Sequence, residues 1–245
     1  FFVRKVAALI ASKGKKVIGW DEIVKGGLAK GAAVMTRHYT QILPAIRADK
    51  PPLVLTTGKN CYLDYYQGDP LTEPEAHLFT NRLSDSYRFD PVPPGIRSRE
   101  VLGGEGCLWT ENVPNTRHAQ YMTWPRAMAL AEVLWSTEKS RNWNGFVRRV
   151  EIQFRSLDAR HIKHATSMYD PIVSAMRDGN DSLRIAIATE VGGLDLFYSF
   201  DGTDPDSFYP QYEGKPLSIP TGATEIRVVT YRAGHPLGKE IICPI

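Results

Sequence analysis

The residues best suited to chemistry lie in the stretch GGEGCLWTE, at positions 103–111. Trp109 and Glu111 are separated by one residue, so in an extended chain their side chains point the same way. A flat apolar ring beside a carboxylate suits a sugar, because the ring covers the C–H face while the acid accepts hydrogen bonds from hydroxyl groups. The alternative interpretation, a buried tryptophan with an acid at the end of a strand, fits this stretch equally well.

Four short apolar segments, each ending in polar or aromatic residues, are predicted to position such side chains. They span residues 16–20, 32–36, 53–57 and 101–102, and segments long enough for helices separate most of them. This alternation predicts parallel β/α units whose strands deliver their carboxyl ends to one pocket. Four units are half of an eight-stranded barrel. The polar, proline-rich residues 68–99 predict a long excursion with one helical turn at 73–80.

The second half of the chain changes character twice. Apolar spacing predicts helices over residues 121–135 and 144–164, which pack against the barrel. From about residue 169 the pattern becomes alternating strands and turns, such as LRIAIA at 183–188 and the turn DGTDP at 201–205. This pattern predicts a small all-β module that begins near Asp170 and Pro171.

Composition excludes several classes of function. The 245 residues are 42% hydrophobic and 23% charged, with a net charge of +3 too small and scattered to indicate nucleic-acid binding. No apolar run reaches membrane-spanning length. Cys61, Cys107 and Cys243 are far apart and predict neither a disulfide framework nor a metal site, and no cofactor is indicated. Since the chain starts inside an amphipathic helix without Met or signal peptide, we expect it to be part of a longer one.

Four motifs carry a family resemblance: GWDE at 19–22, CYLDYYQ at 61–67, GGEGCLWTE at 103–111 and WPRA at 124–127. In this order, residues 1–165 resemble the C-terminal half of a glycoside hydrolase family 20 β-N-acetylhexosaminidase. The tail, with FYSFDGTDP at 197–205, is similar to the fibronectin-III-like module that often ends bacterial chains of this family. The resemblance implies the C-terminal half of a TIM (β/α)8 barrel at residues 1–168. It implies a fibronectin-III-like β-sandwich at 169–245.

The resemblance also implies a role for each matching residue. In this family the substrate's own 2-acetamido oxygen attacks the anomeric carbon. Tyr62 matches the catalytic tyrosine that holds the acetamido carbonyl, and Trp20 and Trp109 match walls of the sugar pocket. Asp64 and Glu111 match acids that accept hydrogen bonds from the terminal sugar. The implied partner is a glycan ending in N-acetylhexosamine, and the implied location is periplasmic, secreted or at the cell surface.

The sequence departs from the family pattern at two places. The catalytic Asp-Glu pair of an earlier strand is absent, and Asp21-Glu22 match the tryptophan motif instead, so we expect this chain alone to be inactive. Arg37 stands where family members usually carry a tryptophan. Its guanidinium could stack in place of the indole, could pair with Asp64, Glu111 or an acidic substituent of the substrate, or could point away while Tyr39 fills the space.

Two other functions compete with hydrolysis. One is a non-catalytic, lectin-like protein that uses the same aromatic and acidic pocket. The other is a structural or adhesion role of the β module, which leaves the pocket residues without a shared purpose. The exposed edges of a half barrel would in addition allow self-association.

Overall fold

A computed structural model describes all 245 residues. The first part contains seven helices and six strands: α1 (Phe2–Ser12), β1 (Ile18–Trp20), β2 (Ala33–Thr36), α2 (Tyr39–Asp49), β3 (Leu53–Leu55), α3 (Gly58–Cys61), β4 (Tyr65–Tyr66), β5 (His77–Thr80), α4 (Leu83–Tyr87), β6 (Val101–Gly104), α5 (Thr116–Thr123), α6 (Arg126–Trp135) and α7 (Trp143–Ala159). The second part contains seven strands: β7 (Ile172–Arg177), β8 (Leu183–Ala188), β9 (Asp195–Ser199), β10 (Leu217–Ser218), β11 (Glu225–Arg232), β12 (His235–Pro236) and β13 (Ile241–Pro244). None of the helices is long and apolar enough to cross a membrane.

The central sheet has four parallel strands in the order β1-β2-β3-β6. Sequence reasoning therefore identified its strands correctly, although three of the four segments overran them. The segment predicted for residues 53–57 ends at Leu55, because the carbonyl of Thr57 accepts the amide hydrogens of Asn60 and Cys61 and so starts α3. Because the four strands are parallel, their carboxyl ends lie at the same edge of the sheet.

Apolar side chains between the sheet and two helices form the first core. Val34, Leu53 and Leu55 from the strands meet Ile46 of α2 and Val133 of α6, all nearly inaccessible to solvent. Fully burying each such side chain is worth about 1.5–3 kcal/mol relative to exposure. A second core packs α7 against Ala129 of α6. The helices predicted over residues 121–135 and 144–164 are present, but a break at Pro125 divides the first into α5 and α6, and the second ends at Ala159.

The prediction of one helical turn at residues 73–80 is wrong. Residues 77–80 form β5, which pairs in parallel with β4. The cause is aromatic contact with a distant segment, because the rings of His77 and Phe79 lie 5.6 and 5.3 Å from the ring of Tyr65. His77 and Phe79 are two positions apart, so a strand places both side chains on one face, whereas a helix would separate them.

Residues 172–244 form two antiparallel sheets. One has the order β10-β8-β7, and in the other β11 pairs with β9, β12 and β13. Ile185 and Ile187 of β8 pack with Ile226 and Val228 of β11, so the two sheets share an apolar core.

A buried polar network joins these sheets to the first part. The Glu73 side chain is only 1% exposed and accepts hydrogen bonds from Tyr121 Oη (3.0 Å), Ser167 Oγ (2.5 Å) and Lys239 Nζ (2.7 Å). The backbone amide of Lys239 donates to Asp170 Oδ1 at 2.7 Å. Burying a carboxylate without partners costs free energy, so loss of the ion pair between Lys239 and Glu73 would destabilise the contact between the two parts.

Candidate active site

Three aromatic rings converge beyond the carboxyl ends of the strands. Trp20 ends β1, Tyr62 follows α3, and Trp109 follows β6. The ring centroid of Trp109 lies 5.7 Å from that of Trp20 and 6.4 Å from that of Tyr62. We call this group the aromatic cup. It brings together three predicted site residues that are 89 positions apart at the extremes, because parallel strands place their ends side by side.

The segment carrying Tyr62 and Asp64 is held against the segment after β6. The amide of Leu63 donates to the carbonyl of Cys107 at 2.7 Å, and the amide of Cys107 donates to the carbonyl of Cys61 at 2.8 Å. This pairing continues the β3–β6 ladder past the end of the strands and positions Tyr62 beside Trp109.

Asp64 is buried and keeps a free acceptor. Its Oδ1 atom has no hydrogen-bond partner in the protein. Burial raises the pKa of the Asp64 carboxyl, while hydrogen bonds from backbone amides and the charges of His77 and Arg126 oppose the shift. A hydroxyl group of a ligand would supply the missing donor.

Arg126 anchors the same segment from beneath. This residue is completely buried, and its guanidinium donates to the carbonyl oxygens of Tyr65 (2.9 Å), Asn81 (2.9 Å), Leu63 (2.5 Å) and Met122 (2.7 Å). Burial lowers the pKa of Arg126 to about 9, so the side chain remains charged at neutral pH. The loop that carries Tyr62 and Asp64 is thus fixed by one cation.

The Tyr62 hydroxyl is the other free polar group. It is buried and makes no hydrogen bond in the protein. Burial raises the pKa of Tyr62, and the nearby Arg37 guanidinium and Trp109 indole act in the opposite direction. The phenol is therefore protonated at neutral pH and has a hydrogen available for an acceptor on a ligand.

Arg37 pairs with an acid that sequence reasoning did not consider for it. Its Nη2 lies 2.9 Å from Glu22 Oε1, so of the alternatives considered for Arg37 the pairing with Asp64 or Glu111 is not the one observed. Asp21 Oδ2 accepts the backbone amide hydrogens of Arg37 (3.0 Å) and His38 (3.1 Å). The adjacency of β1 and β2 could have predicted the pair of Arg37 and Glu22, because residues that follow neighbouring parallel strands lie side by side.

The structure also places Tyr39 and Glu111. Tyr39 begins α2 and packs against the first core, so it does not fill the space beside the cup. Glu111 lies exposed in a turn two residues after Trp109 and makes no hydrogen bond or ion pair. The rings of Tyr65, His77 and Phe79, which sequence reasoning passed over, extend the aromatic surface outward from Tyr62.

Residues 1–138 match the model of the glycosyl hydrolase family 20 catalytic domain. The chain is 29% identical to a beta-hexosaminidase of Porphyromonas gingivalis over 239 residues, which cover 94% of this chain and 30% of the relative. The GH20 beta-N-acetylhexosaminidase of Streptomyces coelicolor A3(2) superposes with a TM-score of 0.62 at 25% identity, over 67% of this chain and 35% of that one. A mutant Streptomyces plicatus beta-hexosaminidase in complex with product (GlcNAc) gives a TM-score of 0.61 at 25% identity, with the same coverage.

These similarities extend over most of this chain but about a third of its relatives. The chain spans about 30% of the length of the Porphyromonas gingivalis protein. The structural likeness indicates an α/β fold of the TIM-barrel type for the first part. The family model covers more than half of the chain, including the cup residues Trp20, Tyr62 and Trp109 and the acid Asp64. The chain therefore belongs to glycosyl hydrolase family 20.

Proposed function

We propose that the full-length protein to which this chain belongs acts as an exo-acting β-N-acetylhexosaminidase, which removes a terminal N-acetylhexosamine with the help of the substrate's own acetamido group. The observation that carries the proposal is the unpartnered Tyr62 hydroxyl inside the aromatic cup. The names of the relatives support it, since the Porphyromonas gingivalis protein is a beta-hexosaminidase and the Streptomyces plicatus enzyme holds GlcNAc as product.

The proposed chemistry begins with the acetamido group in the cup. Trp20 and Trp109 pack the acetamido methyl and the ring face, and the Tyr62 hydroxyl donates to the acetamido oxygen. That oxygen attacks the anomeric carbon while the bond to the leaving oxygen breaks. Water then opens the oxazolinium-like intermediate and releases the sugar with retained configuration. The leaving oxygen takes up a proton from a general acid that is not among these residues, and the water that opens the intermediate gives a proton back.

Asp64, Glu111 and Arg37 complete the proposed sugar site. The free Oδ1 of Asp64 would accept from a distal hydroxyl of the terminal sugar, and Glu111 would do so from the rim. Arg37 is neutralised by Glu22, so the pair favours an uncharged sugar over one with a sulfate or carboxylate, which would have to displace Glu22.

The decisive experiment replaces Tyr62 by phenylalanine in the full-length protein and follows hydrolysis of 4-nitrophenyl N-acetyl-β-D-glucosaminide. Loss of a donor to developing charge costs about 2.7–4 kcal/mol of barrier, so kcat should fall about 10²–10³-fold with little change in KM. Tyr66→Phe, which also removes a phenolic hydroxyl, serves as the matched control and should leave kcat unchanged. An unaltered kcat in Tyr62→Phe would leave Tyr62 as packing, and sugar binding without turnover by the unsubstituted full-length protein would contradict an enzyme.

We further propose that residues 169–245 form a fibronectin-III-like β-sandwich, separate from the half barrel at 1–168. The two antiparallel sheets with a shared apolar core support this division. Self-association through the sheet edges is supported by Ile18 and Leu102, which lie on the outer strands β1 and β6 and are 50% and 68% exposed. A periplasmic, secreted or cell-surface location rests on the family resemblance alone.

A further inference from the structure

A cleft lies outside the aromatic cup, where α5 meets the segment after α7 and the loop before β13. Two cavities of about 540 and 530 Å³ share four lining residues there and so form one cleft: Arg117, Tyr121, Lys163 and Lys239. We call it the junction cleft. None of the residues of the proposed sugar site lines it, so its chemistry is independent of the proposed glycosidase activity.

The cations of the junction cleft exceed the anions that could neutralise them. Glu73 sits in the wall, but it is 1% exposed and already pairs with Lys239 Nζ at 2.7 Å. Arg117 and Lys163 have no carboxylate partner. The one other acid of the cleft, Asp158, is hydrogen-bonded to His164 Nε2 at 3.0 Å and is 70% exposed. Two unpaired positive charges therefore face one cavity.

Neutral groups position the Arg117 side chain and the Lys163 backbone at the cleft. Arg117 Nη1 donates to the carbonyl oxygen of His161 at 2.5 Å, and Gln120 Oε1 accepts the backbone amide of Lys163 at 3.0 Å. Arg117 also lies in the first turn of α5, where the helix dipole already adds positive potential. Like charges that line one cavity repel each other, and an anion between them would offset that repulsion.

The cleft also has unused hydrogen-bond donors. The Lys163 ammonium makes no hydrogen bond, and most N–H groups of Arg117 are without acceptors. A third group, His118 Nε2, lines the cleft as a buried atom with no partner. Fork-shaped guanidinium and mobile ammonium donors are the groups that proteins use to bind sulfate and phosphate oxygens.

We propose that the junction cleft binds an oxyanion, held by Arg117 and Lys163 with Lys239 at its wall. The anion is either a free sulfate or phosphate ion or the sulfate ester of an acidic sugar. In the second case the protein would hold an acidic part of a glycan at a place distinct from the cup.

Isothermal titration of the 245-residue chain at constant ionic strength tests this inference. The probes are sodium sulfate, sodium phosphate, glucose 6-sulfate and uncharged glucose, since neither sugar carries the acetamido group that the cup is proposed to hold. The double variant Arg117→Gln/Lys163→Gln should bind the anionic probes about tenfold more weakly or worse, because it loses two charge-assisted donors. Both side chains are exposed, so the fold should tolerate their replacement. Binding of the uncharged sugar should not change.

A matched control removes one lysine and one arginine elsewhere. Lys139→Gln/Arg148→Gln takes away two exposed charges outside the cleft and should leave anion affinity intact. Tighter binding of the sulfated sugar than of sulfate would identify a glycan, and equal affinities would identify a free ion. Absence of saturable anion binding would overturn the inference. Equal losses in the two double variants would do the same, as would sulfated-sugar binding that survives Arg117→Gln/Lys163→Gln.

Discussion

Replacement of Arg126 by methionine tests whether one buried cation fixes the loop that carries Tyr62 and Asp64. Methionine keeps much of the volume but cannot donate hydrogen bonds. Four buried carbonyl oxygens would lose their partner, those of Leu63, Tyr65, Asn81 and Met122.

Two opposing free energies set the size of the effect. Four unsatisfied acceptors at about 2 kcal/mol each would destabilise the fold by about 8 kcal/mol. Methionine also removes the cost of burying the charge. Burial lowers the pKa of Arg126 to about 9, and a lowering of that size corresponds to about 5 kcal/mol. The expected net loss of unfolding free energy is therefore about 3 kcal/mol, a large part of the ~5–15 kcal/mol of a typical domain.

Urea unfolding followed by tryptophan fluorescence measures this loss. Arg99→Met is the matched control, because Arg99 is exposed and makes no ion pair, and it should change the unfolding free energy by less than about 0.5 kcal/mol. The Arg126 variant should also bind N-acetylglucosamine more weakly, since Tyr62 and Asp64 lose their support. A loss below about 1 kcal/mol for Arg126→Met would refute the reasoning, because the four carbonyls would then have found other partners.

Two further predictions concern the boundary between the two parts of the chain. Gly238→Ala should lower the free energy of unfolding, measured in urea, by about 1–3 kcal/mol. The reason is that a Cβ at this position would lie 2.4 Å from Thr230 Oγ1 and 2.5 Å from the carbonyl oxygen of Tyr169. An unchanged free energy of unfolding would show that the loop shifts freely. Burial raises the pKa of Asp170 to about 6, so the folded state binds more protons than the unfolded state and stability falls as pH rises from about 4 to 6. Asp170→Asn should remove up to about 3 kcal/mol of that pH-dependent loss in urea titrations at pH 4 and 7, and parallel pH profiles for the two proteins would contradict the assignment.

The features that sequence reasoning predicted share one property: they follow from local pattern and the geometry of parallel strands. Short apolar segments ending in polar and aromatic residues were enough to predict the sheet. Because parallel strands end at one edge, the meeting of Trp20, Tyr62 and Trp109 was predictable without coordinates.

The features that it missed depend on contacts between segments. β5 forms because the His77 ring stacks on Tyr65 and the Phe79 ring packs at a tilt against it, which no window of local sequence reveals. The Arg37–Glu22 pair depends on how two loops turn after β1 and β2. Several partners could satisfy a charge at Arg37, and only the backbone decides among them.

The Glu73–Lys239 contact has a consequence for how such proteins can be recombined. Lys239 belongs to the β part and Glu73 to the loop between β4 and β5, so the second part supplies the cation that neutralises a buried acid in the first. A β module from another protein, joined at the same boundary, would leave the Glu73 carboxylate without a cationic partner unless it carried a lysine at the corresponding place. The two parts are therefore exchangeable between relatives only as a matched set, and a chimera that ignores the pairing inherits a buried acid without a cation in the loop between β4 and β5.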